Sequence, residues 1–148
     1  MSDQSKKIIE NIIWNGQSQS SLRVTFRAQV LSHSEYPIVI DGRYNRLKKT
    51  LTYSIIHQQI PKRIFGLDMG QNHRNPDGQL VGINHIHYWT NNYEDRCAYS
   101  AEDYIHSSVN NPGDVWDEFC DMANINFEGV MRQIPPIQYS MDMDLGIF

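Results

Sequence analysis

Apolar and polar positions alternate most regularly over residues 22–31. Leu22, Val24, Phe26, Ala28 and Val30 fall on one side, and Arg23, Thr25, Arg27 and Gln29 on the other. A period of two with one polar side predicts a strand with one solvated face, the arrangement of an antiparallel sheet. Residues 36–40 are a short apolar run. Asp41-Gly42 then carries the strongest two-residue hairpin signal in the chain, with residues 43–47 returning. Residues 51–58 predict another strand, Pro61 breaks the chain, and residues 64–69 resume it with Gly66 as a candidate bulge. Asn75-Pro76-Asp77-Gly78 has turn chemistry at each position. Residues 80–89 predict the returning strand, 91–95 a second turn, and 96–99 a short strand.

Three stretches carry a helical signal instead. In residues 5–15, Ile8, Ile9, Ile12 and Ile13 recur on one helical face, Ser5 can cap and Gly16 can stop. Ser100 with Asp103 resembles a capping box for a short helix over 101–108. Asn111, Pro112 and Asp114 form a better start, with Asn111 as N-cap and Asp114 as its reciprocal partner. Val115, Phe119, Met122 and Ala123 then share one face. The expected fold is α+β: an antiparallel sheet of about five to seven strands with N-terminal and C-terminal helices, in a single domain spanning 1–148. The tail, 126–148, reads either as an edge strand or as an extended arm that docks on a partner.

Composition adds a few exclusions. The net charge of −4 argues against a generally basic nucleic-acid binder. Charge is nonetheless polarised. Arg43, Arg46, Lys48, Lys49, Lys62 and Arg63 precede an acidic second half that includes Glu94, Asp95, Asp114, Asp117 and Asp121. Such a field can steer an anionic ligand to one side, and two separate solvated faces would leave the same pattern. Cys97 and Cys120 are too few for a disulfide framework and lack metal spacing, so buried free thiols in a reducing cytosol are expected. No stretch approaches ~20 apolar residues, and the opening MSDQSKK has no apolar core behind its charges. A cytoplasmic protein without a membrane segment is the expectation.

Candidate chemistry concentrates in residues 68–99, which hold three of the six histidines. His85 and His87 lie two apart on a predicted strand, so both face one way while Asn84, Ile86 and Tyr88 face the other. At about 3.3 Å per residue their Cα atoms are ~6.5–7 Å apart. That spacing suits a pair of metal ligands, an acid–base pair working across a phosphodiester, or two hydrogen-bonded structural residues on a sheet face. His73 sits before the preceding turn and can join them. Asp68 is the nearest carboxylate and can orient a ring nitrogen. Arg74 can stabilise anionic charge. Cys97 lacks the positive surroundings of an activated thiol, and the glycines do not form a phosphate loop. Tyr44, Tyr53, Phe65, Tyr88, Trp89 and Tyr93 supply aromatics on predicted sheet segments that also carry Arg23, Arg27, Arg43 and Arg46. That mixture would suit single-stranded nucleic acid, and ordinary cross-strand core packing would use the same aromatics.

Read in order, Asp68, the loop His73, Asn75, Pro76, Asp77 and Gly78, the strand His85, His87 and Tyr88, then Ala98 and the run from Phe119 to Ile125 resemble a family of small uncharacterised bacterial and phage proteins, a domain of unknown function. The likeness covers about two thirds of the chain. Asn84 stands where that pattern has proline, and Asn91-Asn92-Tyr93 replaces an acidic-glycine turn. The resemblance implies a fold and a mobile-element setting, not a reaction.

Two functions follow as expectations. The first is an interaction or regulatory protein of a phage or mobile element, binding a protein or nucleic-acid partner in defence or counter-defence, with a homo-oligomer as one such assembly. The second is a small hydrolase or nuclease acting on RNA or a nucleotide. There His85 and His87 would be acid and base, with His73 or Arg74 stabilising the charge. Neither requires a cofactor, and a divalent metal on His85 and His87 is a variant of the second. Whether the protein is an enzyme is left open by the residues alone.

Overall fold

A computed structural model describes residues 6–18, 21–33 and 37–136. The chain opens with β1 (Lys7–Ile8), then β2 (Arg23–Val30), β3 (Ile38–Asn45), β4 (Thr50–His57) and β5 (Lys62–Met69). A small hairpin follows, β6 (His73–Arg74) with β7 (Leu80–Val81), and then β8 (Asn84–Tyr88), β9 (Ala98–Ser100), α1 (Pro112–Met122) and β10 (Asn126–Phe127). Six strands form one antiparallel sheet in the order β2-β3-β4-β5-β8-β9. The sheet is therefore a meander, with the β6–β7 hairpin inserted between its fourth and fifth strands.

The alternation in β2 is reproduced: Val24, Phe26, Ala28 and Val30 are buried, and the residues between them are exposed. One face of the sheet packs under α1 through Tyr53, Ile55, Phe65, Leu67 and Ile86 against Val115, Trp116 and Phe119. Tyr53 is central. Its ring lies 5.2 Å from Trp116 and 5.6 Å from Phe119, and its hydroxyl donates to the Pro112 carbonyl at 2.7 Å. Burying the ring body while the hydroxyl finds an acceptor is how a tyrosine ties a sheet to a helix start. The polar face carries Arg43, Thr52, Asp68 and His85 in one cross-strand row and Asp41, Ser54, Gly66 and His87 in the next. Among the described residues no helix is long and apolar enough to cross a membrane.

Several local expectations are corrected. Residues 6–15 are not helical. Ile8, Ile12 and Trp14 are buried while Ile9 and Ile13 are exposed, and the backbone bonds residues 126–132 instead. Asn126 and Glu128 donate to the carbonyls of Lys6 and Ile8, and Arg132 to that of Ile12. A run of β-branched isoleucines loses little by extending, and the parallel ladder supplies its backbone partners. The same contacts show where the first part of the tail goes. Residues 126–134 run along the chain's own N-terminal segment, with Phe127, Met131 and Ile134 against the core. Residues 137–148 and Ser5 lie outside the described residues.

Asp41-Gly42 is not a hairpin but the middle of β3, paired with Arg27 and Phe26. The turn comes later, where the Asn45 side chain accepts from the Leu47 and Lys48 amides at 3.0 and 2.9 Å and Lys49 takes a φ of 58°. Gly42 serves packing instead: a Cβ there would overlap the Phe26 ring. The stretch 80–89 divides into β7 and β8 around Gly82 and Ile83. Residues 101–108 form a single turn, with the Ile105 amide on the Ala101 carbonyl, and no helix. Asn111 and Pro112 do start α1, but the Asn111 side chain makes no capping bond. The β5 bulge falls at Ile64, not Gly66: Ile55 pairs with Phe65 and Ile56 with Arg63.

Gly42→Ala should lower the unfolding free energy by about 1–3 kcal/mol, because the Phe26 ring is wedged among Trp14, Tyr53 and Trp116 and has little room to yield. A urea titration reads this as a lower midpoint at unchanged slope, and an unchanged midpoint would show that the ring moves aside freely.

Candidate functional site

The polar face ends in a cluster at β5 and β8. The meander sets Asp68 directly across from His85, and Gly66 across from His87. Both histidines are buried, 2% and 3% exposed, even though they lie on the polar side of the sheet. The covering comes from two connections. The β6–β7 hairpin folds over them and brings His73, and the loop before β9 adds the backbone of Asp95 and Arg96. Asn75 fastens the hairpin to β9, donating to the Ala98 carbonyl at 3.0 Å and accepting from its amide at 2.7 Å. The Asn-Pro-Asp-Gly turn thus does more than reverse the chain.

His73, His85 and His87 meet in space. Their ring centroids are 4.7–5.3 Å apart, and one ring nitrogen from each lies within 4.8 Å of the others. Each ring has its other nitrogen on a backbone carbonyl. His85 Nδ1 is 3.1 Å from the Gly82 oxygen, His87 Nδ1 2.6 Å from the Asp95 oxygen, and His73 Nε2 2.6 Å from the Arg96 oxygen. A carbonyl only accepts, so each of those nitrogens carries the proton. In the neutral rings the proton is then used up, and Nε2 of His85 and His87 and Nδ1 of His73 present lone pairs.

Asp68 sits against two of those lone pairs. Its Oδ2 is 3.1 Å from His87 Nε2 and 3.6 Å from His85 Nε2. The shorter contact lies off the axis of an N–H bond, so His87 Nε2 is buried with no hydrogen-bond partner. A carboxylate facing two imidazole lone pairs is repulsive unless positive charge lies between them, either as extra protons on the rings or as a metal ion. Asp68 is itself tightly held. Thr52 donates to Oδ1 at 2.9 Å, and Arg63 donates to both oxygens at 3.1 and 3.3 Å. Burial pushes its carboxyl up; hydrogen bonds from His85 and His87 when their Nε2 atoms carry protons, and the charge of Arg63, outweigh this and hold it well below the usual carboxylate range. At neutral pH it is an anion.

Of the residues expected from the sequence, Asp68, His73, His85 and His87 are brought together. Arg74 is not. It follows His73 on a two-residue strand, points the other way, and folds back on the Gly78 carbonyl at 2.6 Å. Arg63 takes the position by the carboxylate, bridging Asp68 and, at 3.1 Å, Asp95. Simple alternation would put Arg63 on the core face with Phe65 and Leu67. The bulge at Ile64 shifts it by one place onto the face of Asp68, and Gly66 leaves room for its stem, which approaches within 2.9 Å of where a Cβ would be. Its only sequence signal was a basic residue near a β-strand glycine. The aromatics proposed as a stacking platform divide: Tyr44, Tyr53 and Phe65 are core, while Trp89 stands at the surface beside Lys62. Cys120 is buried in the core, and that burial pushes its thiol up, out of any reactive range.

The donor set fits a first-row divalent cation. Three imidazoles with their second nitrogens on carbonyls are the outer-shell arrangement that orients metal ligands. Around zinc, ligand atoms about 2.0–2.1 Å from the metal lie roughly 3.3 Å from one another. The Asp68 contacts bracket that separation, and the three histidines need to draw in by on the order of 1 Å.

Arg63→Gln should cost about 1–3 kcal/mol at neutral pH, since it leaves Asp68 and Asp95 without their shared cation. The folded pKa of Asp68 lies below the unfolded value of about 3.9, so its stabilisation is present above that pH and lost as pH falls through it. The gap between parent and variant in urea unfolding should therefore widen from about pH 2 and level off above about pH 5. A gap independent of pH would remove Arg63 from control of that carboxylate.

Comparison with curated proteins and with solved structures finds no match. Comparison with family patterns gives one over residues 2–125, which takes in the sheet, the histidine cluster and the helix. The chain belongs to DUF6978, a family of unknown function.

Proposed function

We propose that this protein is a small metal-dependent hydrolase whose ion is held by His73, His85 and His87, with Asp68 as the adjoining anion. The observation that carries the reading is the set of ring protons committed to the Gly82, Asp95 and Arg96 carbonyls. It leaves three lone pairs and a carboxylate around one point, which favours a cation there. Three imidazoles with an open fourth position are the pattern of hydrolytic zinc sites, and a fourth protein ligand is the pattern of structural ones. Two features favour the open form. Asp68 is already engaged by Thr52 and Arg63, and its side chain is 23% exposed on a surface groove.

Such an ion lowers the pKa of its bound water toward neutrality. In the hydrolysis, the water oxygen bonds to the electrophilic centre and the bond to the leaving oxygen breaks. One water proton passes to solvent, and the leaving oxygen takes one from solvent. Asp68 is already engaged by Thr52 and Arg63 and is not assigned the part of base. Its part is to hold charge opposite the ion and fix the His85 and His87 rings. This replaces the scheme of two histidines as acid and base, because their protons are occupied by carbonyls. The alternative, an interaction protein of a mobile element, rests on the acidic second half of the chain, the apolar tail over 126–148 and the lack of a complete catalytic set. The assembled cluster weighs against the last of these grounds and favours metal chemistry, within either a cytoplasmic or a mobile-element setting.

Purified protein should bind one equivalent of zinc, manganese or iron(II). At free metal 100 times the Kd the gain is about 2.7 kcal/mol, seen as a higher Tm that a chelator reverses. The His85→Ala, His87→Ala double variant should lose both the metal and the shift. Turnover of activated phosphate and carboxylate esters should follow metal content. Full retention of activity by chelated protein, or no metal uptake at all, would end this reading.

A further inference from the structure

The polar sheet face continues from the histidine cluster as a groove of about 610 Å³. That volume is in the range of small-molecule sites. Arg43, Arg23 and Lys48 line it on one side, Arg63 and Asp68 on the other, with Ser54 in its wall. The positive groups are not all alike. Arg27 is committed to Asp41 through bonds of 2.6 and 2.9 Å, and Arg63 to Asp68 and Asp95. Among the described residues, Arg23, Arg43 and Lys48 have no ion-pair partner. They gather uncommitted positive charge at one groove of a chain whose net charge is −4.

Two further features mark the groove as built for a polar ligand. Ser54 is 2% exposed, yet its hydroxyl has no hydrogen-bond partner. A buried hydroxyl left unpaired is unfavourable, and a ligand oxygen in the groove would give it a partner. The register also links the groove to the cluster. Arg43 pairs with Thr52, Thr52 with Asp68, and Asp68 with His85. Neighbouring strands are about 4.8 Å apart, so Arg43 begins roughly 10 Å from Asp68, and both line the groove.

We propose that this groove binds a small organic phosphate, with Arg43 and Arg23 on the phosphate oxygens and the ester turned toward the histidine cluster. This rests on the hydrolase reading for the reaction but not for the binding. A planar guanidinium with five donors suits phosphate oxygens, and Lys48 adds charge at the mouth. The groove offers no exposed aromatic ring: Tyr44 is buried, and Trp89, Tyr93 and Tyr99 do not line it. A strand of RNA held by base stacking would need such rings. A sugar phosphate or similar compact ester does not.

The test is calorimetric titration of the full chain with p-nitrophenyl phosphate and with inorganic phosphate, each with and without zinc. Binding should weaken at least tenfold in Arg43→Gln and also in Ser54→Ala. It should be unchanged in Arg74→Gln, whose charge lies on the far side of the hairpin. The His85→Ala, His87→Ala variant should keep phosphate binding while losing zinc and turnover, which separates failure of the metal reading from failure of this one. Circular dichroism checks that each variant is folded. The proposal is overturned if Arg43→Gln binds like the parent. It is also overturned if sulfate binds as well as phosphate, or if affinity for oligouridylate rises with strand length beyond that for the small esters.

Discussion

An anionic carboxylate set among imidazoles whose N–H groups are already bonded to backbone carbonyls is the constraint around which this structure is organised. Asp68 reaches Thr52 on one neighbouring strand, His85 and His87 on the other, and Arg63 across its own bulge. Remove any one of these and the others lose a reason for their geometry. Arg63 keeps the carboxylate ionised, and Thr52 and Arg63 aim it. The carbonyls of Gly82, Asp95 and Arg96 fix the proton on each imidazole. Without positive charge at the centre, the arrangement is electrostatically unbalanced. That imbalance is the physical basis for placing a cation there.

The rest of the fold divides between holding this point still and leaving it reachable. The apolar face of the sheet, welded to α1 through Tyr53, Trp116 and Phe119, gives β4 and β5 a rigid backing. The hairpin that delivers His73 is only two residues wide on each side, and it depends on Asn75 bonding both backbone groups of Ala98. A site assembled from a rigid sheet and a short hairpin can draw its ligands together by small hairpin movements. A cation would then join three stretches of the chain, β5, β6 and β8, so that binding would also stabilise the fold. On the other side of Asp68 the polar rows of β3 and β4 continue without a cover, which is how a buried cluster comes to open on a charged groove.

Much of this was legible from residue order. Strict alternation located β2, and the Asn-Pro start located α1, because burial of one face has a period that the chain must obey. His85 and His87 fell on a common side for the same reason, and Asp68 and His73 followed as the nearest groups on the adjoining segments. What misled was local chemistry that two structures satisfy equally. Asp-Gly favours a hairpin but also fits a strand where Gly42 must pass beneath Phe26. Four isoleucines at helical spacing also suit an extended ladder.

Residue order settles the periodic elements and the two-residue spacing of the histidines, because those depend only on backbone geometry and side-chain burial. Tertiary structure alone decided that His73 closes the cluster, that Arg63 and not Arg74 meets the carboxylate, and that Arg43 and Ser54 share a groove with it. The physical reason is that each depends on register. One extra residue at Ile64 turns Arg63 from the core face to the polar face, and no propensity or charge count along the chain records where a bulge will fall.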